Sequence, residues 1–274
     1  MQIQEMKHKS VQYRKTILQI IKHANAGHTG GSLSCIDILN VLYNHVMDIS
    51  AGNYGDVNRD HYIHSKGHSV EALYTVLADN GFFSKTELNT LNRFGSHFVG
   101  HPTRKVNGIE HNTGALGHGL SVSVGWALAA KIDGRSTRVF TVLGDGELAE
   151  GSNWEALMSA SNYQLDNLVI IIDRNMLQIT GPTEDVMALE PLLDKFSAFG
   201  CAVRTCNGND VEDLVRTFDQ LPFEKGKPSL VLASTVKGKG VSFMEDEVKW
   251  HHKVPSDEEF RDAMYELELA EALI

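Results

Sequence analysis

Asp145 stands between Gly144 and Gly146 just after an apolar run, and Asn175 stands just after the next apolar run, at the far end of a helix-like segment. A carboxylate and a side-chain amide carbonyl are hard oxygen donors. They suit Mg²⁺, which prefers octahedral oxygen coordination and shares it readily with phosphate and water. The flanking glycines let backbone approach an anion closely, as phosphate-cradling loops require. Gly-Asp-Gly also serves as ordinary turn chemistry; its placement beside the second strand end is what points to a magnesium diphosphate site. Of thirteen histidines, His28, His68, His101 and His251 lie in glycine-bearing or polar loops. An isolated histidine is more often a surface or satisfied core residue. Near physiological pH, however, a neutral imidazole can exchange a proton or hydrogen bond with a substrate hydroxyl.

The elements that must position these residues follow from hydrophobic spacing. Arg138 to Leu143 and Leu168 to Ile172 are short β-branched runs separated by a helix with Trp154, Leu157 and Met158 on one face, which reads as a βαβ unit. Ligands of parallel α/β sheets collect at the carboxyl ends of strands, where Asp145 and Asn175 fall. Upstream, Ile17, Ile20, Ile21 and Ala24 have helical spacing, and Gly27 is placed to end that helix. "GHTGGS" then reads as a loop. Ile38, Val41, Leu42 and Val46 predict a second helix. Val70, Leu73, Tyr74 and Leu77 predict a third, leaving His68 just before its start. Ser84 and Glu87 match a capping box. A long glycine-rich stretch, of the kind that is usually functional or mobile, leads into a helix carrying Leu120, Val124, Ala127 and Leu128. Further on come a helix at 189–199, a strand at 202–205, a helix at 211–221, a strand in "PSLVLASTV" and a charged terminal helix. Strands alternating with helices imply an α/β fold with a mainly parallel sheet covered on both faces. No linker or internal repeat divides the chain, and residues 1–274 read as a single domain.

A formal net charge of −10 argues against a nucleic-acid or anionic-membrane surface, while leaving room for a small basic pocket. Cys35, Cys201 and Cys206 lack the spacing of a four-ligand zinc site and suit a reducing compartment. The N-terminus has no continuous apolar signal core, and no run approaches the ~20 residues needed to span a bilayer. A cytoplasmic location is the expectation.

Eight motifs in order, "ANAGHTGGS", "SKGHSVEALY", "GHP", "TGALGHGLSVSVGWALA", "GDGELAEGSNWEA", "DRN", "KGKG" and "WHHK", resemble the N-terminal half of transketolase, the domain that binds the diphosphate of thiamine diphosphate. The resemblance implies a three-layer thiamine-diphosphate-binding fold. It implies Asp145 and Asn175 as side-chain ligands of Mg²⁺, with the Leu177 carbonyl as a third and Ca²⁺ or Mn²⁺ as substitutes. It places Gly146 against the diphosphate, and His68, the Gly114-Ala115-Leu116 turn and Lys237 on the cofactor. His28 and His101 resemble catalytic loop histidines, His251 one that touches cofactor and substrate, and Glu150 a member of a proton relay between active sites. Three positions depart from the family pattern: Thr29 and Ala115 where it has proline, and His252 where it has glycine.

The family's pyrimidine-binding domain, whose glutamate activates the cofactor, and its C-terminal domain do not fit after His251. The resemblance therefore implies the N-terminal subunit of a split transketolase, completed by a partner chain in an α2β2 heterotetramer. Such an enzyme moves a two-carbon ketol unit from a ketose phosphate or a modified ketose to an aldose. The α subunit of a 2-oxo-acid dehydrogenase is a second enzyme reading, against which "SKGHSVEALY" and "WHHK" argue. A non-catalytic subunit that kept the fold is a third, against which the intact ligand positions argue.

Overall fold

The computed structural model describes residues 1–274. Helix α1 (Ile3–Ala24) buries Met6, Ile17, Leu18 and Ile21 and stops at Asn25, whose left-handed backbone (φ 51°) turns its N–H onto the Lys22 carbonyl. The stop thus comes before Gly27, because asparagine also tolerates this conformation. Helix α2 (Thr29–Val41) begins inside "GHTGGS", where a loop is predicted. Its polar residues find partners in other parts of the fold: Thr29 Oγ1 donates to the Lys253 carbonyl, Ser32 to Glu71 and Ser34 to Asp173. Those contacts and burial of all thirteen residues override the low helix propensity of the glycines. A π-helical turn, Leu42–Val46, ends it.

Strand β1 (His61–His64) has no apolar run to announce it, since half of its residues are histidines, yet all four are buried. After a 3₁₀ turn at Gly67–Ser69 come α3 (Val70–Asp79) and the predicted capping box, Ser84 with Glu87. Helix α4 (Gly119–Ile132), β2 (Val139–Gly144), α5 (Gly151–Asn162) and β3 (Leu168–Arg174) form the predicted βαβ region. On α5 the packed face is Asn153, Ala156, Leu157 and Ala160; Met158, expected on it, is exposed. A hairpin of two-residue strands, β4 (Leu177–Gln178) and β5 (Gly181–Pro182), precedes α6 (Thr183–Val186) and α7 (Leu192–Ala198). The chain closes with β6 (Ala202–Asn207), α8 (Val211–Phe218), β7 (Ser229–Ser234) and α9 (Asp257–Ala272).

Five strands form one parallel sheet in the order β1-β2-β3-β7-β6. Alternate strand residues feed two cores. Phe140, Val142, Val169, Ile171 and Val231 join the larger one, under α1, α2, α3, α8 and α9. Val139, Leu143, Ile170, Ile172 and Leu230 join the smaller one, under α4, α5 and α7. Each such side chain contributes roughly 1.5–3 kcal/mol of burial free energy. Helices therefore cover both faces of a mainly parallel sheet, as predicted. Register sets Gly144 beside Asp173 and Arg174 beside Ser234, so the carboxyl ends of β2, β3 and β7 open at one level.

Candidate active site

Four adjacent strand ends empty into one cavity of about 310 Å³. The end of β1 supplies Lys66 and His68, that of β2 Asp145, Gly146 and Glu147, that of β3 Asn175 and Leu177, and that of β7 Lys237.

Asp145 is held rigidly. Its Oδ1 accepts the Gly146 N–H at 2.8 Å, and its Oδ2 accepts the Met176 N–H at 2.6 Å and Arg174 Nη1 at 3.2 Å. Burial and the neighbouring Asp173 charge push its carboxyl above the ordinary value, against these donors. Asn175 donates to Asp173 at 3.3 Å and accepts the Leu177 N–H at 3.2 Å. The Leu177 carbonyl accepts Lys237 Nζ at 2.9 Å, so the expected third metal ligand already faces a cation. No cluster of three His, Cys, Asp or Glu side chains could hold a metal. A carboxylate, an amide oxygen and a peptide carbonyl form a hard set that fits Mg²⁺ completed by phosphate oxygens, and it lacks the nitrogen and sulfur donors of a zinc site.

Beneath these residues lies an ion pair that sequence reasoning missed. Lys66 Nζ is bonded to Asp173 Oδ2 and also donates to the Gly31 carbonyl at 3.1 Å. Asp173 further accepts Ser34 Oγ at 2.6 Å and Thr235 Oγ1 at 2.5 Å. Burial opposes both charges, but the partners outweigh it: Lys66 is raised and Asp173 lowered. The only hint lay in the motif positions, "SKGH" and "DRN". Glu147 was missed too. It accepts Ser65 Oγ at 2.5 Å, the Gly117 N–H at 2.9 Å and the Gly144 N–H at 3.1 Å, fastening three motifs together.

The loop histidines form one cluster: His68 and His251 line the cavity, and His28 and His101 do not line it but stand beside them. The His28 ring lies 5.3 Å from His68, 6.2 Å from His101, 5.6 Å from His251 and 4.4 Å from His252. His68 and His251 stack at 5.5 Å. Burial, aided by His252, pushes His28 down to about 4. Burial and the Lys237 charge push His251 to about 3, and burial with Lys66 takes His68 well below its usual value. Burial also lowers His101. These rings are neutral at pH 7. Lys237 Nζ is hydrogen-bonded to His251 Nδ1 at 2.9 Å, and burial together with the Lys66 charge lowers it to about 8.

Leu116 and Gly114 line the cavity, and Gly114 (φ 133°) packs where a Cβ would strike His101 Cδ2 at 2.8 Å. Ala115 and Glu150 do not line it, and Glu150 is exposed.

A concave site that gathers hard oxygens, lysines and neutral imidazoles at the carboxyl ends of a parallel sheet suits an α/β domain for a diphosphate cofactor. Residues 6–269 match the family model described as transketolase, thiamine diphosphate binding domain, and the chain belongs to the transketolase family. It is 48% identical over 267 residues to an apulose-4-phosphate transketolase subunit of Phocaeicola vulgatus, covering 97% of this chain and 95% of that one. It is 40% identical over 265 residues to the 6-deoxy-6-sulfo-D-fructose transketolase subunit SqwG of a Clostridium species, covering 96% of each. The fold is similar to transketolase from Leishmania mexicana, with a TM-score of 0.86 and 26% identity. That match covers 100% of this chain and 45% of the other, so the chain spans less than half of that solved transketolase.

Proposed function

We propose that this chain, forming a single domain over 1–274, is the diphosphate-binding subunit of a two-chain transketolase. The observation that carries the proposal is its near full-length likeness to proteins named as transketolase subunits, joined to a cavity built from four strand ends. Asp145, Asn175 and the Leu177 carbonyl would hold Mg²⁺ beside the diphosphate, with Ca²⁺ or Mn²⁺ as substitutes. Gly146, His68, Lys237, Gly114 and Leu116 line the cavity and would contact the cofactor, with Ala115 on the same turn but outside the lining. Thiamine diphosphate supplies the electron sink for carbon–carbon cleavage and ketol transfer.

The chain's own groups orient substrate and move protons. His28, His101 and His251 are lowered in pKa, so they stay neutral in the resting state and can accept hydrogen bonds from substrate hydroxyls, while their burial makes them weak bases until a bound ligand changes their surroundings. His251 bridges the two parts of the site, because its Nδ1 side meets Lys237 and its ring lies 5.6 Å from that of His28. Glu150, exposed at the start of α5, joins a proton relay once a partner covers it. The partner carries the pyrimidine-binding domain, in an α2β2 assembly. The donor is a ketose phosphate or a modified ketose, in keeping with the substrates in the relatives' names, and the acceptor is an aldose. The net charge of −10 gives no general basic footprint for nucleic acid, and no helix is long and apolar enough to cross a membrane. The location is cytoplasmic, consistent with three free, buried cysteines.

Native mass spectrometry of the tagged chain, purified with thiamine diphosphate and Mg²⁺ present, should recover a second chain and bound cofactor. That complex should then transfer ketol units between sugars. Asp145→Ala should abolish Mg²⁺-dependent cofactor binding in calorimetry. Unchanged affinity would refute the metal assignment, and recovery of a lone, empty chain even after crosslinking would refute the split enzyme.

A further inference from the structure

We infer that Glu71 is the positioning residue for His28, holding the histidine's backbone from a neighbouring helix so that its ring is free for substrate. The inference rests on the proposed role of His28 and adds a residue to it.

Glu71 is fully buried in the first turn of α3, three positions after His68. One turn of chain therefore carries a residue lining the cofactor cavity and another directed at α2. Glu71 Oε1 accepts the His28 N–H at 3.2 Å, and Oε2 accepts Ser32 Oγ at 2.9 Å. Gly27 is fitted beneath the same carboxyl: with φ at 155°, a Cβ there would lie 2.7 Å from Oε1. No lysine or arginine pairs with this carboxyl, and burial pushes it up to about 7. A buried acid without a counterion is costly, and here its two oxygens are committed to the residue at the start of α2 and to the first turn of that helix.

His28 occupies the N-cap position of α2 but makes no capping bond with its side chain. Its ring turns into the histidine group instead, where Nδ1 is buried without a partner. An unpaired buried polar atom calls for an explanation, and a ligand hydroxyl would supply one. The carboxyl does what a proline at position 29 would do by covalent constraint: it fixes the approach to the helix. On the other side, Thr29 Oγ1 ties the same turn to the Lys253 carbonyl at 2.8 Å, next to His252. The His28 loop is thus pinned by two polar contacts.

The test uses the assembled two-chain enzyme and the variants Glu71→Ala and Glu71→Gln. Glu71→Ala should lower kcat/KM for the ketose donor about 10- to 100-fold, the range expected when a charge-assisted tie is lost and a reacting group is misplaced. Its thiamine diphosphate Kd should stay within about twofold, since no cofactor contact changes. Glu71→Gln keeps an oxygen for the His28 N–H and an amide for Ser32 Oγ, and should recover activity to within about threefold of the parent. The His28 amide gives a readout independent of turnover: its hydrogen exchange should accelerate about tenfold or more in Glu71→Ala while the middle of α2 keeps its protection. Should the alanine variant fail to fold, Glu71→Asp, which withdraws the carboxyl by one methylene, is judged by the same criteria. The inference is overturned if kcat/KM is unchanged, if cofactor affinity and turnover fall in step, or if Glu71→Gln is as impaired as Glu71→Ala. A parent complex that binds no thiamine diphosphate would instead refute the proposed function, leaving the exchange measurement to decide this point.

Discussion

Replacing Lys66 with methionine would leave the Asp173 carboxylate alone beneath the cavity. Both side chains are almost inaccessible, at 1% and 0% exposure, so water cannot take over the lost charge. Breaking one side of a buried ion pair costs about 3–5 kcal/mol. For 274 residues the entropy of unfolding near the transition is about 0.6 kcal/mol/K, so the variant should melt roughly 5–9 °C lower. Adding Asp173→Asn removes the orphaned charge: its one side-chain oxygen accepts one of the two hydroxyls that Asp173 holds on separate oxygens, Ser34 Oγ on Oδ2 and Thr235 Oγ1 on Oδ1, and its NH2 group can donate to the other. The double variant should recover at least about half of the loss. The assay is thermal unfolding of the four proteins of this cycle, followed by far- and near-UV circular dichroism. A Lys66→Met melting point within about 2 °C of the parent, or a double variant whose loss equals the sum of the singles, would show that the pair is not the electrostatic floor of the site.

Two further outcomes can be read in the histidine cluster. His28 and His251 take up protons only near pH 4 and 3 in the folded chain, against 6.5 ordinarily. The unfolded chain therefore binds more protons than the folded chain below 6.5, and the stability these groups contribute is lost as pH falls through that window. Their ring C–H resonances should not titrate between pH 7.5 and 5.5; a midpoint above 6 for either would contradict the burial argument. His252→Gly should open the space beside His28, shift the kcat/KM ratio between two ketoses of different bulk by about tenfold, and leave cofactor affinity within twofold. An unchanged ratio would remove His252 from substrate selection.

Much of the layered fold was legible because buried parallel strands are β-branched runs and their covering helices keep a 3.6-residue spacing. The exceptions share a cause. Strand β1 is made largely of buried polar residues, and the start of α2 looks like a loop until Glu71, Asp173 and the Lys253 carbonyl arrive from other parts of the chain. The ends of β2 and β3 could be found from Asp145 and Asn175, whose placement depends on local order. Lys66, Glu147 and Glu71 could not: apart from the Gly144 N–H on Glu147, the side-chain contacts that matter come from thirty or more positions away, and nothing in their own spacing sets them apart from surface charges.

The complete burial of α2 limits how this protein can change over time. A helix at a domain surface offers an outer face on which substitutions are nearly free, but α2 offers none. Drift must bypass a window of thirteen consecutive positions, and any added side-chain volume there displaces a packed neighbour. The exposed His252, across the rim from His28, has no such restriction. New sugar preferences should therefore be reached by altering the rim around His28 while the helix behind it stays fixed, and libraries built on this scaffold should be divided along that line.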